Sequence, residues 1–527
     1  LLGAGSGGSL AALLAACGQG PQAQPPAQGQ PTAGAAPDRE VVFAIARDLA
    51  NGPEDPFFTH SSVMHWEPLV ALDNALKPTP ALAEKWDLSA DGKTWTFTLR
   101  QNVKFSDGAP FDADAVVKNM QRYMKISPRT SPFTTMDVRI GYGKLTEVRK
   151  VDARTVTFHL DDPAPWMPAT MSNFFSAMYS PASFDESTGN FNSGTPVATG
   201  PYKLTEFKRG EYSTLERNEN YWGTKPAVRK YRLRTIPDAN ARVSAILAKE
   251  VDAIAELGAL LPAQAQQLKS QPGITVGNDP ISISQYIAFN CSKAPFDDMK
   301  LRQAVGMAVD RATIVKDLVL GYATEGKSLL SPFSTQWFSA KGTPKYDMAA
   351  ATRLANEALA GKRVTAVFPY SSSAGQARPY KQIAELLQQV LRPMGIDVQI
   401  QALENAALTD AQNRGDWNLR FGQQGWANGD PDFIFSAFIA STGTYNTTAK
   451  SAYKNEEADR LIAQGKTERD ERRRYTIYER LQELAAQEMP VLPLYHEHAP
   501  YAFRDSISGL KQRITYQPTL EAVKIVK

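Results

Sequence analysis

Between Thr94 and Leu99 the chain alternates strictly, with Trp95, Phe97 and Leu99 on one side and Thr94, Thr96 and Thr98 on the other. An Asp91-Gly92 turn signal precedes it, so the segment reads as one strand of a half-buried hairpin. Val156, Phe158 and Leu160 repeat the pattern against Thr155, Thr157 and His159. From Asp112 the period lengthens: Val116, Met120, Tyr123 and Met124 recur at helical spacing, with Asp112 placed to cap the helix. Leu301, Ala304, Val305, Ala308 and Val309 make a second apolar stripe, and Ala384, Leu387, Val390 and Leu391 a third, just before a strand at Val398–Ala402. The alternating charges of Glu468 to Arg474 lead into Tyr478, Leu481 and Ala485 and predict the wet face of a helix. An apolar strand then returns at Val491–Tyr495. Strands and helices interleave along the whole chain, which predicts an α/β fold with mixed sheets and a separate second core.

The N-terminus breaks this pattern. Residues 10–17 form an uncharged apolar run ending in Ala15-Ala16-Cys17, and Gly18 to Pro37 contain only Gly, Gln, Pro, Ala and Thr. The run is shorter than the roughly 20 residues needed to cross a bilayer. Small residues directly before a cysteine are the shape of a secretory signal whose cleavage leaves Cys17 to carry lipid. Residues 1–17 are therefore expected to be a lipoprotein signal peptide and 18–37 a flexible tether. Lipidation of Cys17 leaves Cys291 as the only thiol, set in an apolar stretch and expected to be buried and inert. Beyond the tether, Lys and Arg (58) nearly balance Asp and Glu (55), for a net charge of +3. That balance argues against a nucleic-acid partner, which normally demands a clustered basic excess.

Catalytic motifs are scarce. Gly3-x-Gly5-x-x-Gly8 fits the dinucleotide fingerprint in letters, yet no strand precedes it. The sequence has no Walker A loop, nucleophile elbow or His-Glu-x-x-His, so neither catalysis nor a cofactor is expected. His496 and His498, two apart on a strand, share a face and are weak candidates for a transition metal, with His60 and His65 the only comparable cluster. The stretch from Gly425 to Asp432 joins an indole, Trp426, to a turn of small residues and the acids Asp430 and Asp432. It reads equally as a ligand wall with an acid for an ammonium, or as a surface turn with a helix-capping Asp.

Several stretches carry a resemblance. Pro80-Ala-Leu-Ala-Glu-Lys-Trp through Arg100, Val103-Lys-Phe-Ser-Asp-Gly through Ala113, Thr199-Gly-Pro-Tyr-Lys-Leu, Asn218-Glu-Asn-Tyr-Trp-Gly, Ala294-Pro-Phe-Asp-Asp with Arg302-Gln-Ala, and Gly425-Trp426 with Asp430-Pro431 occur in that order. They resemble the signature of extracytoplasmic solute-binding proteins that serve peptide and nickel ABC importers, over nearly everything from about residue 40 onward. The resemblance implies a two-lobed periplasmic-binding-protein fold of the large, three-domain class II type with a two-segment hinge. Lobe I would comprise 38–277 plus 496–527, including an extra domain at about 75–200, and lobe II 278–495. It also implies a monomer anchored to the bacterial membrane by its lipid, which delivers ligand to a permease driven by a separate ATPase.

The ligand is expected to be a short peptide. Sealing a peptide's two charged ends from water is unfavourable unless each meets a partner. By resemblance, Asp430 or Asp432 would meet the ammonium, and Arg378, with Lys381 nearby, the carboxylate. Arg129 matches an arginine that nickel-type receptors use for an organic chelator, whereas Ala177 stands where a second is expected. Ser441 to Thr448 lacks the histidine those receptors place downstream of the stacking tryptophan matched by Trp426. Phe57, Phe58 and His60 would line the N-terminal side of the cleft. The alternatives are a receptor for nickel or another transition metal held as a chelate, and a membrane-anchored peptidase.

Overall fold

The computed structural model describes residues 39–49, 65–130, 135–136, 141–172, 176–192, 196–372, 378–425 and 429–526. Its elements are mixed α/β. The largest sheet runs β10 (Tyr202–Lys208), β11 (Tyr212–Arg217), β12 (Lys230–Thr235), β1 (Val41–Ile45), β13 (Ala253–Ile254), β19 (Val491–Arg504), β14 (Ile274–Phe289) and β18 (Leu419–Gly425), with β15 (Ala323–Glu325) also paired to β19. Within this sheet, among the described residues, only β1 makes parallel pairs, with β12 and β13. The long strands β14 and β19 hold this sheet together, antiparallel from Ile274↔Arg504 to Ala288↔Val491.

Along β14 the surroundings change abruptly. Ile274–Pro280 is half-buried or exposed, whereas every residue from Ile281 to Phe289 is buried. The second stretch is covered on both faces. Ile287 and Phe289 pack into one core with the helix Tyr380–Leu391, and Tyr286 and Ala288 into another with the helix Pro431–Phe438. A strand buried on both sides loses its alternation and reads as a continuous apolar run, as Tyr286-Ile-Ala-Phe does. The register slips between Pro280 and Ser284 and again between Gln285 and Tyr286, next to the change in burial.

A smaller antiparallel sheet, β4 (Ala83–Leu88), β5 (Thr94–Leu99), β9 (Thr155–Leu160) and β8 (Leu145–Lys150), is the hairpin unit read from the alternating pattern. Trp86 lies opposite Phe97 and Trp95 opposite Phe158. The helix Ala113–Ile126 covers it, capped by Asp112, which accepts from the Ala115 amide at 3.0 Å. Two short strand pairs accompany it: the hairpin β2 (Val70–Leu72) with β3 (Pro78–Pro80), and β6 (Arg129–Thr130) with β7 (Thr135–Met136). At the β2–β3 tip Leu76 has φ of 61° and is fully buried, not in the neighbouring sheet's core but among Tyr286, Phe435 and Phe438. In the second half, β16 (Val364–Ser371) and β17 (Ile396–Leu403) pair in parallel, linked through the helix Tyr380–Leu391.

Two readings of the sequence need adjustment. The charge run does not lie wholly on a wet helix face: Glu468–Asp470 join two helices, and Arg474, in the first turns of Glu471–Glu488, is buried. Cys291 is half-buried, and burial pushes its thiol up to about 11, so it is protonated and unreactive at neutral pH.

Residues that carry the family resemblance knit the first half together. Trp222 Nε1 donates to Glu67 Oε2 at 2.8 Å and the Tyr221 hydroxyl to Glu67 Oε1 at 3.2 Å, while the Arg100 guanidinium lies 4.3 Å from the Trp222 ring centre. Asn218 Nδ2 donates to the Gly200 carbonyl at 2.9 Å. Burial pushes Glu67 up to about 7, against the hydrogen bonds from Trp222 and Tyr221 that favour its ionised form. A carboxyl raised on folding stabilises the fold fully below its unfolded value and loses that contribution as pH rises through its folded one. Between about pH 4.5 and 7 the loss is on the order of 3 kcal/mol. Glu67→Gln is expected to flatten the pH dependence of unfolding free energy in this window, measured by urea denaturation at pH 4.5, 6 and 7.5.

Candidate functional site

Strand β18 ends at Gly425 and delivers the chain to the stretch singled out by its indole and paired acids. Gly429 has φ of +67°, and a Cβ there would lie 2.2 Å from the Leu76 carbonyl oxygen. Both the conformation and the close approach demand glycine. Pro431 opens the helix Pro431–Phe438 at its first turn, where a missing N–H costs nothing, and Asp430 caps it by accepting from the Asp432 amide at 2.9 Å.

Asp430 is also locked in a buried ion pair. Arg474 Nη1 donates to Oδ2 at 2.6 Å and Nη2 to Oδ1 at 2.8 Å, both side chains being 6% exposed. The same guanidinium gives Nε to the Gly465 carbonyl at 2.8 Å and lies 5.2 Å from the ring centres of Trp337 and Tyr478. Arg474 engages both carboxylate oxygens of Asp430, and Oδ1 also caps the helix, so the acid is buried where a surface turn would expose it. Asp432 is buried two residues on, in the first turn of the helix, accepting from Ser436 Oγ at 3.0 Å and the Tyr478 hydroxyl at 3.2 Å, with Lys466 Nζ at 4.0 Å. Burial pushes its carboxyl upward, opposed by Lys466.

Arg378 belongs to a second network, built across β14, β18 and β19. Its Nε donates to Glu497 Oε1 at 2.6 Å and its Nη2 to Oε2 at 3.3 Å. Gln285 Nε2 donates to Glu497 Oε1 at 2.7 Å and to Gln423 Oε1 at 3.3 Å, and the Tyr380 hydroxyl donates to Gln285 Oε1 at 2.7 Å. The register explains the gathering. Gln285 stands opposite both Tyr495 and Gln423, and Tyr495 and Glu497 share a strand face. Arg378 remains 25% exposed, so this network reaches solvent while that of Asp430 does not.

The opposite face of β19 carries the two histidines. His496 Nδ1 lies 2.7 Å from Ser284 Oγ, and His498 Nε2 lies 2.9 Å from Thr324 Oγ1. Burial pushes His496 down to about 3, so it is neutral at any physiological pH. The second ring nitrogens, His496 Nε2 and His498 Nδ1, are buried and have no hydrogen-bond partner among the described residues. Among the described residues no group of three or more potential ligands gathers to hold a metal ion. His65 is buried apart from these, against the carbonyls of Pro196 and Tyr202.

Trp426, Phe57, Phe58, His60 and Cys17 lie outside the described residues, and Arg129 is described only as part of the strand β6. Of the candidate set, therefore, Asp430 and Asp432 come together in one network and Arg378 stands in another. Sequence reasoning missed Arg474, read as a wet-face charge, and Glu497, passed over between two histidines. The one legible signal was that Glu497 falls two residues after Tyr495 on an apolar strand, a position where an acid is out of place without a partner.

Comparison with known proteins covers most of the chain. Residues 77–446 match the model of bacterial extracellular solute-binding proteins, family 5. The glutathione-binding protein GsiB of Escherichia coli O1:K1 is 28% identical over 485 residues, 89% of this chain and 91% of the relative. Among solved structures, NikA from Brucella suis in complex with Fe(III)-EDTA superposes with a TM-score of 0.79 at 24% identity, covering 93% of this chain and 100% of that one. A dipeptide-binding protein from Pseudoalteromonas sp. SM9913 in complex with Met-Leu gives 0.74 at 24% identity, with 92% and 100% covered.

The buried pair makes a direct stability prediction. Arg474→Met leaves the Asp430 carboxylate buried and uncompensated, an expected loss of about 3–5 kcal/mol. Adding Asp430→Asn should recover a large part of it. A urea-denaturation double-mutant cycle checks this, and additive losses would mean that the pair does not act as a pair.

Proposed function

The chain belongs to the bacterial extracellular solute-binding proteins of family 5, and from that premise we propose that it captures short peptides in a cleft between two lobes. As a member of that family it is a binding receptor of an ABC importer and not an enzyme, and it works outside the cytoplasm. The observation that carries the peptide reading is the solvent-reaching network of Arg378, Glu497, Gln285 and Gln423, three residues before Trp426 on the strand that leads to it. A guanidinium presents a fork of donors that matches a carboxylate. Similarity to glutathione-binding relatives along nearly the whole chain makes a short peptide the first ligand to test.

In this reading the lobes are residues 38–277 with 496–527, and 278–495, with residues 75–200 an extra domain of the first. The change in burial at Ile281 and the register slips at Pro280–Ser284, opposite His496 and His498, support a hinge where β14 and β19 cross. Ligand enters the open cleft, Trp426 packs on it from one side and the Phe57-Phe58 loop with His60 from the other, and the lobes close. Arg378 or Arg129 meets the carboxylate. Asp430 is engaged by Arg474, which leaves Asp432 as the acid of the loop for the ammonium. Peptide side chains sit in wet pockets, where water replaces direct contacts at little cost and specificity stays broad. The closed form then docks on a permease powered by a separate ATPase.

Native mass spectrometry of the protein purified without refolding tests the ligand. A ladder of bound masses fitting short peptides is the expected result; a single mass containing a transition metal or chelator would replace peptide with metal chelate. In parallel, a short peptide at 100 times its Kd should stabilise the protein by about 2.7 kcal/mol and raise Tm. A chelate receptor would instead respond to Ni²⁺ only when histidine or a polycarboxylate is present. We also read Leu14–Cys17 as a lipobox. Expression of the full precursor should yield a membrane-associated protein with an acylated N-terminal cysteine, and Cys17→Ser should move it to the soluble fraction.

A further inference from the structure

We propose that Glu497 is a specificity-determining residue: it competes with the ligand's carboxylate for Arg378 and so weakens the cleft's discrimination between charged and neutral peptide ends. The inference rests on the peptide-receptor reading above. A guanidinium has five N–H donors in a fixed fork. Glu497 takes two of them from one edge, at 2.6 and 3.3 Å, and the Arg378 side chain keeps 25% of its surface exposed.

Glu497 is itself fixed from behind, because Gln285 Nε2 donates to its Oε1 at 2.7 Å and Gln285 is held by the Tyr380 hydroxyl. Its backbone is fixed as well, in β19 opposite Ala323 of β15. These contacts hold the acid beside Arg378. A ligand carboxylate meeting Arg378 approaches a pair whose charges already cancel, and it comes within one side-chain width of a second carboxylate. Attraction to the guanidinium is offset by repulsion from Glu497. The floor at this point is polar and rich in donors and acceptors but close to neutral overall. Also on the strand face of Glu497, and opposite Gln285, the Tyr495 hydroxyl is buried and has no hydrogen-bond partner among the described residues. Such a floor favours ligands for their backbone amides and hydroxyls as much as for a terminal charge, in keeping with broad capture.

The test uses matched probes, di- and trialanine with free C-termini and the same peptides as C-terminal amides, titrated by calorimetry into three proteins. The wild type should bind acid and amide with similar affinity. Glu497→Gln keeps the side-chain shape and removes the competitor, and should shift the acid-to-amide affinity ratio about tenfold toward the acid. Arg378→Gln leaves Glu497 unopposed and should shift the ratio toward the amide. Loss of affinity through a merely structural defect would lower both probes together and leave the ratio untouched, and urea midpoints establish that each variant is folded. An acid-to-amide ratio unchanged across all three folded proteins would overturn the inference while leaving the peptide receptor standing. Failure of the wild type to bind any of the four probes would remove the peptide reading, and this inference with it.

Discussion

The antiparallel ladder between Ile274–Phe289 and Val491–Arg504 is the constraint on which the rest of the structure depends. It pairs two strands that are 200 residues apart in sequence yet matched for most of their length. Everything between them, including the helices on both faces of the sheet's buried end, is a long excursion that must close on that ladder. The ladder is also where the molecule's environments meet. One end is half-exposed beside the helix Pro262–Lys269, and the other is sealed between two apolar cores. Register slips concentrate at the junction, where the pleat would otherwise have to satisfy two incompatible packing arrangements at once.

Two arginine–carboxylate pairs illustrate how the same chemistry serves different ends according to depth. Arg474 and Asp430 are sealed, with remaining donors spent on a backbone carbonyl and two aromatic faces. A pair so placed contributes to specifying the loop more than to net stability, because desolvation consumes much of its attraction. Arg378 and Glu497 reach solvent on one side and are surrounded by amides and a hydroxyl.

Much of the architecture was legible because it rests on local periodicity. Trp95-x-Phe97-x-Leu99 can be buried only as a strand, and Asp112 followed by Val116 and Met120 only as a capped helix. The family letters were legible too, and several act as scaffolding: Trp222 and Tyr221 grip Glu67, and Asn218 grips Gly200. The site was less legible. Whether Asp430 faces a ligand or Arg474 is decided by a helix over forty residues downstream, and no spacing rule reports that distance. Arg474 looked solvated because its neighbours in the charge run are; a helix in its first turns can still bury one member of an otherwise exposed series. Glu497 was obscured for the converse reason, since its partner arrives from a different strand–helix connection.

The hairpin tip bears on how such a chain is assembled over evolutionary time. Leu76 leaves its own sheet and completes a core made by residues from 286 to 514, and its carbonyl sits where only Gly429 allows it. A segment joined in this way is keyed into its host, not appended to it. Exchange of the hairpin between homologues would have to carry the matching glycine and its surrounding socket along, so that recombination breakpoints on either side of residue 76 alone would yield chimaeras with a mismatched tongue and groove. The tip and Gly429 are in that sense one joint split across about 350 positions of sequence.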